Sequence, residues 1–156
     1  MKGNLSMQHV KQLLKVLPAL LLFASFAVAP AQAQAPAKQK KQKVVVHLTR
    51  FSDNLHAVKM AVHLAARMQA RGAEVTMLLD LEGVRLADTR QPIDLIWGKG
   101  DPISSELEEF VKVGGKMMLC PHCAEHNGIT QATLRPGASI GPIGEVILAA
   151  DKILDY

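Results

Sequence analysis

The sequence from Val44 onward predicts an α/β fold, an open parallel β-sheet with helices on both faces, and three observations predict it. Val44–Leu48 (VVVHL) is β-branched and almost continuously apolar, the composition of an inner strand buried on both faces. A second such run, Glu74–Asp80 (EVTMLLD), follows one helix-spaced stretch later and completes a βαβ unit with a right-handed crossover. Hydrophobic residues make up 49% of the chain and aromatic residues only 4%, so the core is aliphatic.

The elements follow in order. Between the first two strands, Leu55, Val58, Val62 and Ala65 recur at helical spacing, with His56, Lys59, His63, Arg67 and Arg71 on the opposite, solvated stripe. Asp53 is expected to cap this helix and Gly72 to end it. Leu81–Asp88 reads as one helical turn. Thr89–Gly100, marked by Gln91-Pro92 and Gly98-Lys99-Gly100, reads as irregular chain of a size that is often functional or oligomer-forming; Ile96 and Trp97 within it read as core or subunit interface. Asp101 is expected to cap a helix from Pro102 to Val113, with Leu107, Phe110 and Val111 buried. Lys116–Leu119 is a short third strand, His122–Asn127 a helical turn closed by Gly128, and Ala138–Ile140 a last strand. Gly144–Leu154 reads as a final helix whose apolar positions are Val146, Ile147, Ala150 and Ile153. No internal repeat is present.

The chain before Val44 is of another kind. Met1–Lys15 is positive and has no acid, Val16–Ala29 is a fourteen-residue apolar run, and Ala31 and Ala33 form an A-x-A pattern that predicts cleavage after Ala33. The apolar run is shorter than the about 20 residues that span a bilayer as a helix. Residues 1–33 therefore read as a signal peptide, 34–43 (QAPAKQKKQK) as a flexible Lys/Gln-rich linker, and 44–156 as the folded domain. The predicted location is periplasmic or secreted, with no stable membrane span after cleavage.

This division changes the meaning of the net charge of +4. Lys2, Lys11, Lys15, Lys38, Lys40, Lys41 and Lys43 all lie in the leader and linker, which leaves eleven basic residues against fourteen acidic ones from Val44 onward. No basic nucleic-acid surface is expected, and so few aromatics offer no platform for stacking bases. Two cysteines exclude a disulfide-dense scaffold. The glycines at 98–100 and 137–144 match no phosphate-loop pattern, so no nucleotide or other cofactor is expected.

Chemistry concentrates at Leu119-Cys120-Pro121-His122-Cys123-Ala124-Glu125-His126. Ligand chemistry in open parallel sheets gathers beyond the carboxyl ends of the strands, where Cys120 falls. The chain then turns into a helix whose amides can favour the thiolate, and a protonated His122 would add to that effect. Three functional readings remain open for this motif. It can be a redox dithiol, although 76 core residues precede Cys120 and 33 residues follow Cys123, unlike a thioredoxin-like domain with its motif near the start. It can be a persulfide carrier, with Cys120 accepting a sulfane sulfur and Cys123 releasing it. It can be a metal site, with Cys120, His122, Cys123 and His126 as candidate ligands; a lone C-x-x-C is half a structural zinc site, so closure needs both histidines or a second subunit. The inert alternative is a disulfide clipping a turn. Elsewhere, His47 reads as a hydrogen-bonded core residue, and Arg50, Asp53, Glu82 and Arg85 stand at strand ends where capping or surface pairing explains them as well as a pocket does.

These residues resemble the DsrE/DsrF-like (TusD-like) proteins. The resemblance runs through VVVHLTRFSDN, GAEVTMLLDLEGVRLAD, GGKMMLCPHCAEHNGIT and ASIGPIGEVILAADKILDY; the cysteine turn and the closing Asp-Lys-Ile-Leu-Asp-Tyr are its most specific parts. It implies a small α/β domain with flavodoxin-like layering, assembled as a homo- or hetero-oligomer. It also implies a persulfide cysteine at the position of Cys120, and Cys123 matches a second cysteine that some members have. The family's relay proteins act in the cytoplasm, often toward tRNA thiolation; the export leader removes tRNA from the partners expected here. The reading that results is an exported sulfurtransferase or thiol redox protein. Its sites are Cys120, Cys123 as resolving thiol and His122 tuning the thiolate; its partner is a sulfur donor or acceptor or a thiol redox protein, and it forms a homo-oligomer. The other class is a non-enzymatic metal- or partner-binding oligomeric module that uses the same Cys/His cluster.

Overall fold

The computed structural model describes residues 40–156; the predicted signal peptide and linker residues 34–39 lie outside the described residues. Five strands, β1 (Lys43–Leu48), β2 (Glu74–Leu79), β3 (Lys116–Leu119), β4 (Ala138–Ile140) and β5 (Lys152–Asp155), form one sheet in the order β4-β3-β2-β1-β5. Every neighbouring pair is parallel. The predicted open parallel α/β sheet is thus the observed architecture.

Strand order decides where the helices go. The chain steps in one direction from β1 to β4, so right-handed crossovers carry helix α1 (Leu55–Ala70), the 3-10 helix Leu81–Ala87, helix α2 (Ile103–Lys112) and helix α3 (Pro121–His126) over one face. The return from β4 to β5 runs the other way and places helix α4 (Ile143–Leu148) on the opposite face. The packing agrees. Val44, Val46, Leu48, Val75, Met77, Leu79, Met117 and Leu119 point into one core with Val58, Val62, Ala65, Leu107 and Phe110 of α1 and α2.

Both long helices start differently from expectation. Asn54 caps α1 by accepting from the Ala57 amide at 3.1 Å, while Asp53 accepts from the Phe51 amide and from Arg50. Asn and Asp serve equally well as caps, so local sequence does not separate adjacent candidates. Pro102 occupies the cap position of α2, with no side-chain cap; its first amides, of Ile103 and Ser104, donate to the loop carbonyls of Leu95 and Ile93, both at 3.0 Å. Asp101 gives its carbonyl to Lys59 Nζ instead. The loop supplies the acceptors that an N-cap normally provides.

The C-terminus corrects the reading more substantially. Helix α4 ends at Leu148, and Lys152–Asp155 is a fifth strand, paired with β1. The open edge of β1 offers a full parallel ladder to this segment, and Asp151 locks its start by accepting from the Lys43 amide at 2.8 Å. The solvated stripe read on α1 is also partly closed: Lys59 and His63 both meet Glu106 of α2 at 3.1 Å. Trp97 is exposed rather than core, its ring stacked on His56 at 4.0 Å.

Candidate functional site

Leu48, Leu79 and Leu119 lie in register at the carboxyl ends of three adjacent strands and all face the core. The residues that follow the last two, Asp80 and Cys120, are both extended, so alternation turns them toward the other face, which His47 also shares. Cys120 continues the ladder by donating its amide to the Leu79 carbonyl at 2.9 Å. Beside it the chain leaving β3 goes to one face and the chain leaving β4 to the other, the divergence at which open parallel sheets form ligand crevices.

Cys120 is the N-cap residue of α3, and Pro121 stands at its first position, where a missing N–H costs nothing. The side chain of Cys120 makes no capping hydrogen bond, so the amides of α3 do not reach its sulfur as the sequence suggested. The amide that does donate to a sulfur belongs to Leu81, 3.2 Å from Cys123 Sγ. Leu81 is the one non-glycine residue with positive φ among the described residues, at 45°, a conformation disfavoured for its branched side chain. Cys123 packs against the core. Burial pushes its thiol pKa up; the Leu81 amide opposes this, and the Cys120 sulfur and Asp80 carboxylate reinforce it. Both cysteines are free thiols.

Next to this turn lies a group that the sequence did not reveal. His47 of β1 bridges two carboxylates, with Nδ1 2.7 Å from Asp155 Oδ1 on β5 and Nε2 3.0 Å from Asp80 Oδ2 at the end of β2. The second contact lacks the alignment of a hydrogen bond and becomes an ion pair when His47 is protonated. Burial alone would lower the His47 pKa, but the two carboxylates outweigh it and hold it above the ordinary 6.5. The sequence reads His47 as a hydrogen-bonded core residue; it is hydrogen-bonded, but at the site. The signal that could have found the cluster is an acid at the end of each apolar run flanking the His47 strand. Asp155 escapes that signal because the apolar run before it reads as a helix, not as a strand.

The remaining candidates lie apart from the sulfurs or at their rim. His122 and His126 are exposed on α3. His126 borders a polar depression of about 310 Å³ with Glu82, Arg85, Asp88, Gln91 and Asn127, and Arg85 pairs with Glu82 at 2.8 Å. Arg50 and Asp53 pair with each other at the surface. Among the described residues no three His, Cys, Asp or Glu side chains converge as a metal-holding group, so Cys120, His122, Cys123 and His126 do not close a ligand set within one chain. A buried clasp sits behind α3. Asp88, 1% exposed, takes a bidentate contact from Arg90, whose Nη2 also reaches the Asn127 and Gly128 carbonyls at 3.3 and 3.1 Å.

Three solved structures share this architecture. YchN from E. coli is 23% identical, with 75% of this chain and 100% of that one covered, at a TM-score of 0.57. The fold is DsrE-like. MTH1491 from Methanobacterium thermoautotrophicum, a protein of unknown function, is 12% identical over 74% of this chain and 100% of that one (TM-score 0.58). BT1422 from Bacteroides thetaiotaomicron, a conserved protein of unknown function, is 20% identical over 74% and 95% (TM-score 0.53). At these identities the likeness is one of fold. No protein-family model and no curated protein matches the chain.

Proposed function

We propose that this chain is an exported sulfur carrier that holds a sulfane sulfur as a persulfide on Cys120 and exchanges it with thiol-bearing donor and acceptor proteins. The observation that carries this reading is the inequality of the two free thiols within one turn. Cys120 stands half-buried at the end of β3, uncommitted to any cap, whereas Cys123 is tucked against the core, under the Leu81 amide, with its pKa pushed up. An inert clip would not need two such different settings.

In loading, the Cys120 thiolate attacks the outer sulfur of a donor persulfide. The donor S–S bond breaks, the donor leaves as thiolate, and Cys120 keeps the sulfur as S–SH. In unloading, an acceptor thiolate takes the outer sulfur and Cys120 leaves as thiolate. Alternatively, Cys123 attacks Cys120 Sγ, hydrosulfide leaves, and the resulting disulfide is reset by an external dithiol. His122, exposed on the first turn of α3, would add positive charge near Cys120 when protonated. The leader supports export, and exposed Ile147, Leu148 and Ile153 support assembly with further copies.

The test is intact mass after reduced protein meets a polysulfide donor. One added sulfur atom, lost in Cys120→Ser and retained in Cys123→Ser, is the expected result. A thiol left unmodified under conditions that load a persulfide carrier sinks the proposal.

A further inference from the structure

We infer that His47 is a positioning residue for the dithiol: its positive charge masks Asp80 and thereby favours ionisation of Cys123, the thiol that discharges the sulfur held on Cys120. The inference rests on the carrier reading, which it deepens by naming what controls release.

The geometry runs without a gap through three strands. Asp155 on β5 grips His47 Nδ1 at 2.7 Å, and His47 Nε2 lies 3.0 Å from Asp80 Oδ2. Asp80 is the residue before Leu81, whose amide reaches Cys123 Sγ at 3.2 Å. The Asp80 carboxylate is thus tied to the imidazole, and one residue further on, the chain meets the resolving thiol; burial is the main cause that raises the Cys123 pKa, and the Asp80 charge adds to it. His47 and Asp80 side chains are each 24% exposed, so solvent screens their charges only in part. Facing His47, the titratable groups are Asp80 from the end of β2 and Asp155 from β5.

Two states follow. With His47 protonated, the Asp80 charge is met and Cys123 more readily becomes the thiolate that attacks Cys120 Sγ. The S–S bond of the persulfide breaks, the outer sulfur leaves with the bond electrons as hydrosulfide, and the proton from Cys123 goes to solvent. The two cysteines are oxidised to a disulfide, the sulfane sulfur is reduced, and an external dithiol restores the pair. With His47 neutral, the Asp80 charge stands unmet and Cys123 is a few-fold less ionised at a given pH than it would be near the charged imidazole, so Cys120 keeps its load longer. Two elementary charges at this range alter a neighbouring ionisation by roughly threefold to tenfold in a partly solvated setting.

The test uses the full chain with Cys120→Ser, so that alkylation by iodoacetamide reports Cys123 alone, measured from pH 5.5 to 9. His47→Gln should slow alkylation about fivefold at pH 6, where His47 is charged, and the two rates should converge by pH 9, where both side chains are neutral. Asp80→Asn should raise the rate and abolish the effect of His47→Gln. Asp155→Asn, which leaves the imidazole in place, should move the convergence to lower pH. A rate ratio constant across pH, or independent effects of His47→Gln and Asp80→Asn, overturns the inference, because a purely structural role gives that pattern. Sulfur loading is measured separately on the protein with both cysteines: its failure with the coupling intact removes the carrier reading and leaves the electrostatic link standing, and loading without coupling does the reverse.

Discussion

Val46, Leu48, Met77, Leu79, Met117 and Leu119 are wholly enclosed under α1 and α2, whereas alternate positions on the same strands carry His47, Thr76, Lys116 and Met118 beside the buried Val45 and Leu78 on the face that only the short α4 crosses. One face is an aliphatic core; the other holds the titratable row and leaves Leu148 90% exposed. The contrast follows from the period of two in a strand, which assigns neighbouring residues to opposite faces. It gives one face wholly to the core and leaves on the other, around the buried Val45 and Leu78, the residues free to do chemistry at the carboxyl edge. A charge such as Asp80 is tolerable beside the thiols because it sits on the half-solvated side.

The largest effect that can break this division lies in the covered face. Phe110 is fully buried, and its ring lies so close to Gly115 that a Cβ there would approach a ring carbon to 2.2 Å. Phe110→Ala should cost about 3–5 kcal/mol by chemical denaturation. Leu148→Ser on the other face should cost less than about 0.5 kcal/mol at dilute concentration. Comparable losses at the two positions would mean that both faces carry the fold.

Much of this was legible in sequence because it is local. Four strands and both long helices announce themselves by period, and the cysteine turn is a contiguous string. What was not legible is what joins distant chain. β5 exists because β1 has a free edge, a fact that no window around Lys152–Asp155 contains. The Asp155–His47 contact spans 108 residues of sequence. The misplaced caps have another cause: Asp53 and Asn54 are chemically equivalent candidates, and Ile93 and Leu95 relieve α2 of the need for one.

A middle-sized effect sharpens the link between the covered face and the cysteine helix. Hydrogen bonds from Arg90, stronger than the effect of burial, hold the Asp88 carboxyl below its ordinary pKa of 3.8. The same guanidinium grips the chain leaving α3. Arg90→Ala strands a buried carboxylate and should lower stability in chemical denaturation, by less than breaking a fully buried pair because Arg90 itself is half exposed. Hydrogen exchange at the Ile129 amide, which closes α3 by donating to Ala124, should quicken with it. Because the folded pKa of Asp88 is depressed, the wild-type contribution is present above 3.8 and lost as pH falls through the folded value. Unchanged exchange at Ile129 would detach the clasp from α3.

The smallest effect probes the half-solvated face itself. The His47 pKa is raised in the folded chain, so its contribution to stability is full below the unfolded value near 6.5 and disappears as pH rises through the higher folded value. Asp155 is 76% exposed, which limits its share to no more than about 1 kcal/mol. Asp155→Asn should therefore lower the melting temperature slightly at pH 6 and leave it nearly unchanged at pH 9, with the loss confined to β5 in hydrogen exchange. A loss of equal size at both pH values would make Asp155 a packing residue of the edge strand and leave the charge on His47 without a part in holding that strand to the sheet.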